Sequence, residues 1–203
     1  MDQGIKMDEK EIKKITVRQD LQSEFNGTID QRVERYLEID HQNIIGNHHF
    51  ASASSECIGL YTNGHFLSAV MVSQAVNEGI VRFIAERNNI ALHPDSDKGE
   101  TKSVSDIIEE LEQKNIITHD CAEASRNIYG SFRNDIHHMN PKVAEIPIHF
   151  RDLSKRNLQC LVKIEKEIFG AKFAPDGSLI MQQPKYWDCN KDGKVAVYLR
   201  LAP

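Results

Sequence analysis

Apolar positions recur at intervals of three or four residues along most of this chain, the period of a helix with one face turned inward. The clearest run is Phe66 to Arg87, where Leu67, Val70, Met71, Val76, Ile80, Val81 and Ile84 form a broad stripe and predict a core helix. Before it, Phe50 to Tyr61 predicts a helix stopped at Asn63-Gly64. Thr28-Ile-Asp-Gln31 has the form of a capping box and predicts a helix through Tyr36 and Leu37. Ser103 reads as an N-cap, with Asp106 in the first turn and Ile107, Ile108 and Leu111 on one face. Cys121, Ala124, Ile128, Phe132 and Ile136 predict a long helix from about His119 to Pro141, where proline ends the hydrogen-bond ladder. Leu158, Leu161, Ile164 and Ile168 predict a last one from about Leu153 to Gly170.

Elsewhere the pattern changes. Residues 1–24 are charged and aperiodic and are expected to form a flexible arm, and Asn88 to Lys102 reads as an exposed loop. After Gly170, turn signals at Asp176-Gly177 and Lys191-Asp192-Gly193 precede Val195 to Leu201, which has strand composition. The expected fold is mainly α: a bundle of about five to six helices over residues 25–170, with a small C-terminal β-hairpin in an appendage over 171–203.

The chain has 203 residues, 40% apolar and 27% charged, within the range of one ordinary globular domain. No apolar stretch is long enough for a membrane span, and the charged first residues do not resemble a secretory signal. Four scattered cysteines without a Cys-x-x-Cys pair read as reduced thiols, so a cytoplasmic location is expected. The net charge of −5 argues against a broad nucleic-acid binder. It is unevenly spread, however. Arg126 to Lys163 holds seven cations against three anions, a net +4 that leaves −9 elsewhere. Three of the nine histidines fall there too.

That region contains Arg133-Asn134-Asp135-Ile136-His137-His138. Arginine matches phosphate oxygens with a planar fork, and histidine titrates near neutrality, so the pair suits phosphodiester chemistry. On one continuous helix Arg133 and His138 lie about 140° apart, whereas Asn134 and His138 lie about 40° apart. Two copies facing each other across a two-fold axis would bring an arginine and a histidine together.

Arg133, the polar Asn134 and His138 resemble the R-x4-6-H signature of the HEPN superfamily (higher eukaryote and prokaryote nucleotide-binding domains). The resemblance extends to the apolar helix carrying Glu78 and to the segment Asp106 to Asn115 before the motif, and covers roughly residues 28 to 170. It implies a metal-independent endoribonuclease that acts without a cofactor as a homodimer on RNA, of the toxin or phage-defence kind, with an antitoxin or sensor subunit as partner. It further implies that His138 is the general acid or base, Arg133 stabilises charge on phosphorus, Asn134 orients them and His137 assists. Glu78 and Arg82 resemble a supporting acidic–basic pair, or form a plain i,i+4 ion pair. Asn140 stands where some toxin members carry a modified tyrosine, so that mode of control is not expected. The alternative reading is a non-catalytic module binding a nucleotide, RNA or protein.

Three other groups invite readings that the sequence disfavours. His48-His49 lacks a carboxylate or cysteine partner at ligand spacing and reads as a surface turn. His119-Asp120 reads as a helix start, and Asp188 to Gly193 as a hairpin turn instead of a calcium loop, since Leu199 occupies the twelfth position.

Overall fold

The computed structural model describes residues 8–93, 101–131, 136, 138 and 149–200. Six α-helices lie among them: α1 Glu9–Leu37, α2 Ala51–Thr62, α3 Phe66–Arg87, α4 Val104–Gln113, α5 His119–Tyr129 and α6 Phe150–Phe169. Four short strands accompany them: β1 Ile44–Gly46, β2 Ala171–Phe173, β3 Leu179–Met181 and β4 Val197–Leu199. The expected helical bundle with a small C-terminal hairpin is the fold observed.

Helix α3 is the centre of the bundle, with α2, α4, α5 and α6 packed against it. Its apolar stripe buries Val76, Ile80 and Ile84 against Leu158, Leu161, Ile164 and Ile168 of α6 and Ile128 of α5, all nearly inaccessible to solvent. The starts of α4 and α5 are fixed by caps: Ser103 Oγ accepts from Asp106 N at 3.2 Å, and Thr118 Oγ1 accepts from Cys121 N at 3.2 Å. Thr118 is therefore the cap of α5, which starts at His119 as expected.

Several expectations need correcting. Residues 9–24 are not an arm; they are the first half of α1, capped by Asp8 and running unbroken past residue 25. Lysine, glutamate and glutamine are good helix formers, and the i,i+3 pair Glu11–Lys14 (2.6 Å) supports the first turns. Thr28 is consequently no N-cap. It sits inside α1, where its hydroxyl donates back to the carbonyls of Glu24 (3.0 Å) and Phe25 (3.2 Å). Helix α5 stops at Tyr129–Gly130, well before Pro141, and Ser131 N already bonds back to Ile128 O.

The C-terminal hairpin is β2–β3, turned at Asp176-Gly177, where Gly177 takes a positive φ of 83°. The strand expected within Val195 to Leu201 has a different partner: β4 runs antiparallel to β1, pairing Ile44 with Leu199 and Gly46 with Val197. Between these strands the chain is built into the bundle, because Tyr186 and Trp187 enter the main core. Arg200 follows β4 inward. Its Nη2 meets Glu165 Oε1 at 2.7 Å and Ser54 Oγ at 2.6 Å, and Ser54 donates to the same carboxylate oxygen. Both charged side chains are almost fully buried.

His48 also departs from its sequence reading. It is a core residue, not a surface turn, stacked on Phe83 with ring centroids 4.2 Å apart. Its Nε2 donates to Tyr186 O at 2.8 Å, since a carbonyl can only accept. Burial pushes its pKa below the ordinary histidine value.

Candidate phosphate-binding cleft

Polar residues occupy positions on α3, α5 and α6 where the helical period calls for apolar ones. Ser73, Gln74 and Asn77 of α3, Ser125 of α5 and Asn157 of α6 are all buried, as is Ser131 just beyond α5. They satisfy one another as a seam. Gln74 Nε2 donates to Ser131 O at 2.7 Å and to Ser131 Oγ at 2.9 Å. Asn157 Nδ2 donates to Ser131 Oγ at 3.0 Å and Ser73 Oγ at 3.1 Å. One turn further, Asn77 Nδ2 donates to Ser125 O while Ser125 Oγ donates to Asn77 Oδ1. Buried polar groups are costly when unpaired, so the seam specifies where the chain leaves α5. Within the seam, and among the described residues, Gln74 Oε1 is the one side-chain atom left buried without a partner.

Beyond that anchor lies the motif segment. Arg133, Asn134 and His137 lie outside the described residues. Ile136 is helical and fully buried, in a cluster with Val70 of α3 and Phe150 and Leu153 of α6. His138 is exposed and on a turn. Two residues of chain span at most about 7 Å, so Ile136 tethers His138 close to α6.

Leu153 also lines a cleft of ≈ 690 Å³ between the end of α5, with Gly130 and Ser131, and the face of α6 carrying Arg156, Asn157 and Lys163. Most charges at its rim are neutralised. Lys166 pairs with Asp40 at 2.6 Å, and Glu38 receives Lys155 at 3.2 Å and Arg151 at 3.3 Å. The Tyr61 hydroxyl, donating to Glu38, holds that carboxyl below its usual range, with help from Lys155 and Arg151. Burial, with Glu38 adding to it, raises Tyr61 to about 12. Arg156 and Lys163 differ from these groups: among the described residues neither has an ion-pair partner. They flank Cys160 on one face of α6 at i, i+4 and i+7. Burial raises the Cys160 thiol despite both cations, which leaves it a poor nucleophile.

The pair foreseen on α3 is formed: Glu78 Oε1 accepts from Arg82 Nε at 3.0 Å and Nη2 at 2.9 Å, both side chains about a quarter exposed. Glu78 follows Gln74 by one turn on the same side of α3, the side that reaches Ser131. Sequence reasoning counted Arg156 and Lys163 in the basic region but missed the seam. The available signal was a polar residue in phase with an apolar stripe, as in Asn77-Ile80-Ile84 and Asn157-Leu161-Ile164. Among the described residues no group of three histidine, cysteine, aspartate or glutamate side chains could hold a metal ion. Comparison with models of protein families, with curated proteins and with solved structures finds no match.

Proposed function

We propose that this chain is a HEPN-type endoribonuclease that cleaves RNA without a metal ion, in the cytoplasm, through an Arg133–His138 site shared by two copies. The observation that carries the reading is the exposed His138, two residues from an Ile136 that packs with Leu153 at the wall of a cleft whose cations Arg156 and Lys163 have no ion-pair partner among the described residues. Phosphates two or three nucleotides apart suit such spaced cations, and a surface held rigid by buried residues places them without further ordering cost.

In the proposed reaction, His138 takes the proton of a ribose 2′-hydroxyl, and the 2′-oxygen attacks the adjacent phosphorus. The bond from phosphorus to the 5′-oxygen breaks, and that oxygen leaves with a proton from the second histidine. The products are a 2′,3′-cyclic phosphate end and a 5′-hydroxyl end. Arg133 stabilises the charge that builds on the phosphoryl oxygens, Asn134 orients the groups and His137 assists. Glu78 and Arg82 brace the α3 side. An antitoxin or a sensor subunit would restrain or trigger the activity.

The test is cleavage of a labelled RNA in EDTA. His138→Ala is expected to lower the rate by about 10²–10⁴-fold, and Arg133→Ala by about 10²–10³-fold. Replacing Arg156 or Lys163 by alanine is expected to weaken RNA binding at all sequences alike and to flatten its salt dependence by about one ion each. Wild-type cleavage rates in both Arg133→Ala and His138→Ala would remove the catalytic assignment. RNA binding without cleavage in the wild type would leave the chain a non-catalytic RNA-binding module.

A further inference from the structure

Helix α1 carries an apolar surface that the bundle does not cover. Val17, Leu21, Phe25, Ile29, Val33 and Leu37 follow one another every four residues and are 37–74% exposed. No residue of α1 is buried. Among the described residues, it is the C-terminal turns of α1 that the bundle holds, where Arg35 Nη1 donates to Thr62 O at 3.0 Å and the guanidinium lies over the Phe66 ring. At about 1.5 Å per residue the 29-residue helix is roughly 43 Å long, so most of it projects from the bundle. A contiguous apolar surface of this length on a protein marks an association face. A row at i, i+4 is also a packing ridge, which beds between the same rows of a second helix at a crossing angle of about −50°.

The charges select the occupant and its direction. From Lys10 to Arg18 there are four cations, Lys10, Lys13, Lys14 and Arg18, against Glu11 alone, a net +3. From Asp20 to Glu34 there are four anions, Asp20, Glu24, Asp30 and Glu34, against Arg32 alone, a net −3. Lys10, Lys13, Lys14 and Arg18 line one groove together with Val17 and Leu21, so the basic stretch borders the apolar ridge. A second α1 laid antiparallel sets each basic stretch beside its partner's acidic stretch. A parallel one would set like charge against like. The row Val17, Leu21, Phe25 and Ile29 also maps onto itself about the point midway between Leu21 and Phe25, as a two-fold axis requires.

We propose that α1 is a self-association helix, through which two copies of this chain pair antiparallel along the Val17–Ile29 row. The pairing does not depend on the nuclease reading, because none of these residues lines the cleft.

Light scattering of the full chain at micromolar concentration is expected to give a dimer. Leu21→Glu combined with Phe25→Glu should raise the dissociation constant by on the order of 100-fold or more, since central apolar anchors dominate small interfaces. Both side chains are about half exposed or more, so circular dichroism and melting of that variant should match the wild type. As a second, milder probe, Lys13→Glu with Lys14→Glu should weaken the dimer, and Asp30→Lys with Glu34→Lys in the other chain should restore a mixed pair. Direction is read by oxidative cross-linking in a Cys189→Ser background: a Val17→Cys chain mixed with an Ile29→Cys chain should form a heterodimer, and Val17→Cys alone should not cross-link. A strict monomer, a dimer indifferent to the two glutamates, or self-linking of Val17→Cys would each overturn the proposal. Loss of RNA cleavage by Arg133→Ala with the dimer intact separates a failure of the site from a failure of α1.

Discussion

At the scale of single residues, the strongest commitment in the molecule is the Glu165–Arg200 pair. Its carboxylate and guanidinium are almost fully out of water, with Ser54 bridging them and Arg200 Nη1 reaching Gln42 O at 3.3 Å. Removing one partner strands the other charge in a dry interior, which costs about 3–5 kcal/mol. Glu165→Gln and Arg200→Met are each expected to lower the unfolding free energy by that amount in urea titration. The double variant Glu165→Leu/Arg200→Met should be less damaged than the two singles added together. Single variants that lose less than about 1 kcal/mol would show that the pair is hydrated instead. Neither residue was legible in the sequence. Glu165 lies between Ile164 and Ile168 on a helix whose stripe was read correctly, and a lone glutamate in that phase resembles the edge of a solvated face. Only the arrival of Arg200 from a strand far along the chain turns it inward. The motif residues had the opposite fate: Arg133 and His138 suggested chemistry from the sequence, but the polar seam at Ser131 was not legible, because serine and asparagine on a helix look alike whether they face water or one another.

Among elements, the helices that pack against apolar neighbours were predicted to within about three residues at most ends, since burial of one face imposes the period. The first half of helix α1 escaped because it buries nothing, so its period of four had no core to point toward. Helix α6 ends at Gly170 as the sequence predicts, but not because that glycine takes the left-handed backbone common at helix ends. Its φ of −59° is open to any residue. What excludes a side chain is space: a Cβ there would overlap the carbonyl oxygen of Lys166 and the Gln182 side chain. Gly170→Ala is therefore expected to cost about 1–3 kcal/mol by crowding. Gly59, inside α2, has nothing within 4 Å of where a Cβ would lie. Gly59→Ala should stabilise by about 0.5–1 kcal/mol, because alanine gives up less backbone freedom on entering a helix. Thermal unfolding of the two variants side by side checks both signs, and equal shifts in one direction would contradict the assignment.

For the molecule as a whole, acidity acts through its buried imidazoles. Burial holds His41 and His48 below the ordinary value of 6.5. As pH falls through that value the unfolded chain binds protons that the folded chain refuses, so stability declines with acidification. Glu112 raises His119 and opposes this trend, but the imidazole is three-quarters exposed and the pair is screened. The urea midpoint is expected to drop between about pH 7.5 and pH 5.5, and His48→Gln should flatten the slope. A midpoint that is constant or rises over that interval would contradict neutral buried histidines. The pairing of β1 with β4 has a consequence of another kind, for the order in which the protein is made. Ile44 meets Leu199, and Ser54 meets Arg200 across 146 positions. On a ribosome adding about 5–20 residues per second, Ser54 therefore waits roughly 7–30 s for its partner. Throughout that interval β1 offers an unpaired edge, and Glu165, once made, has no counter-charge. The nascent chain is thus most open to pairing with a neighbour on the same messenger just before β4 emerges, and any pause in translation there lengthens the exposure.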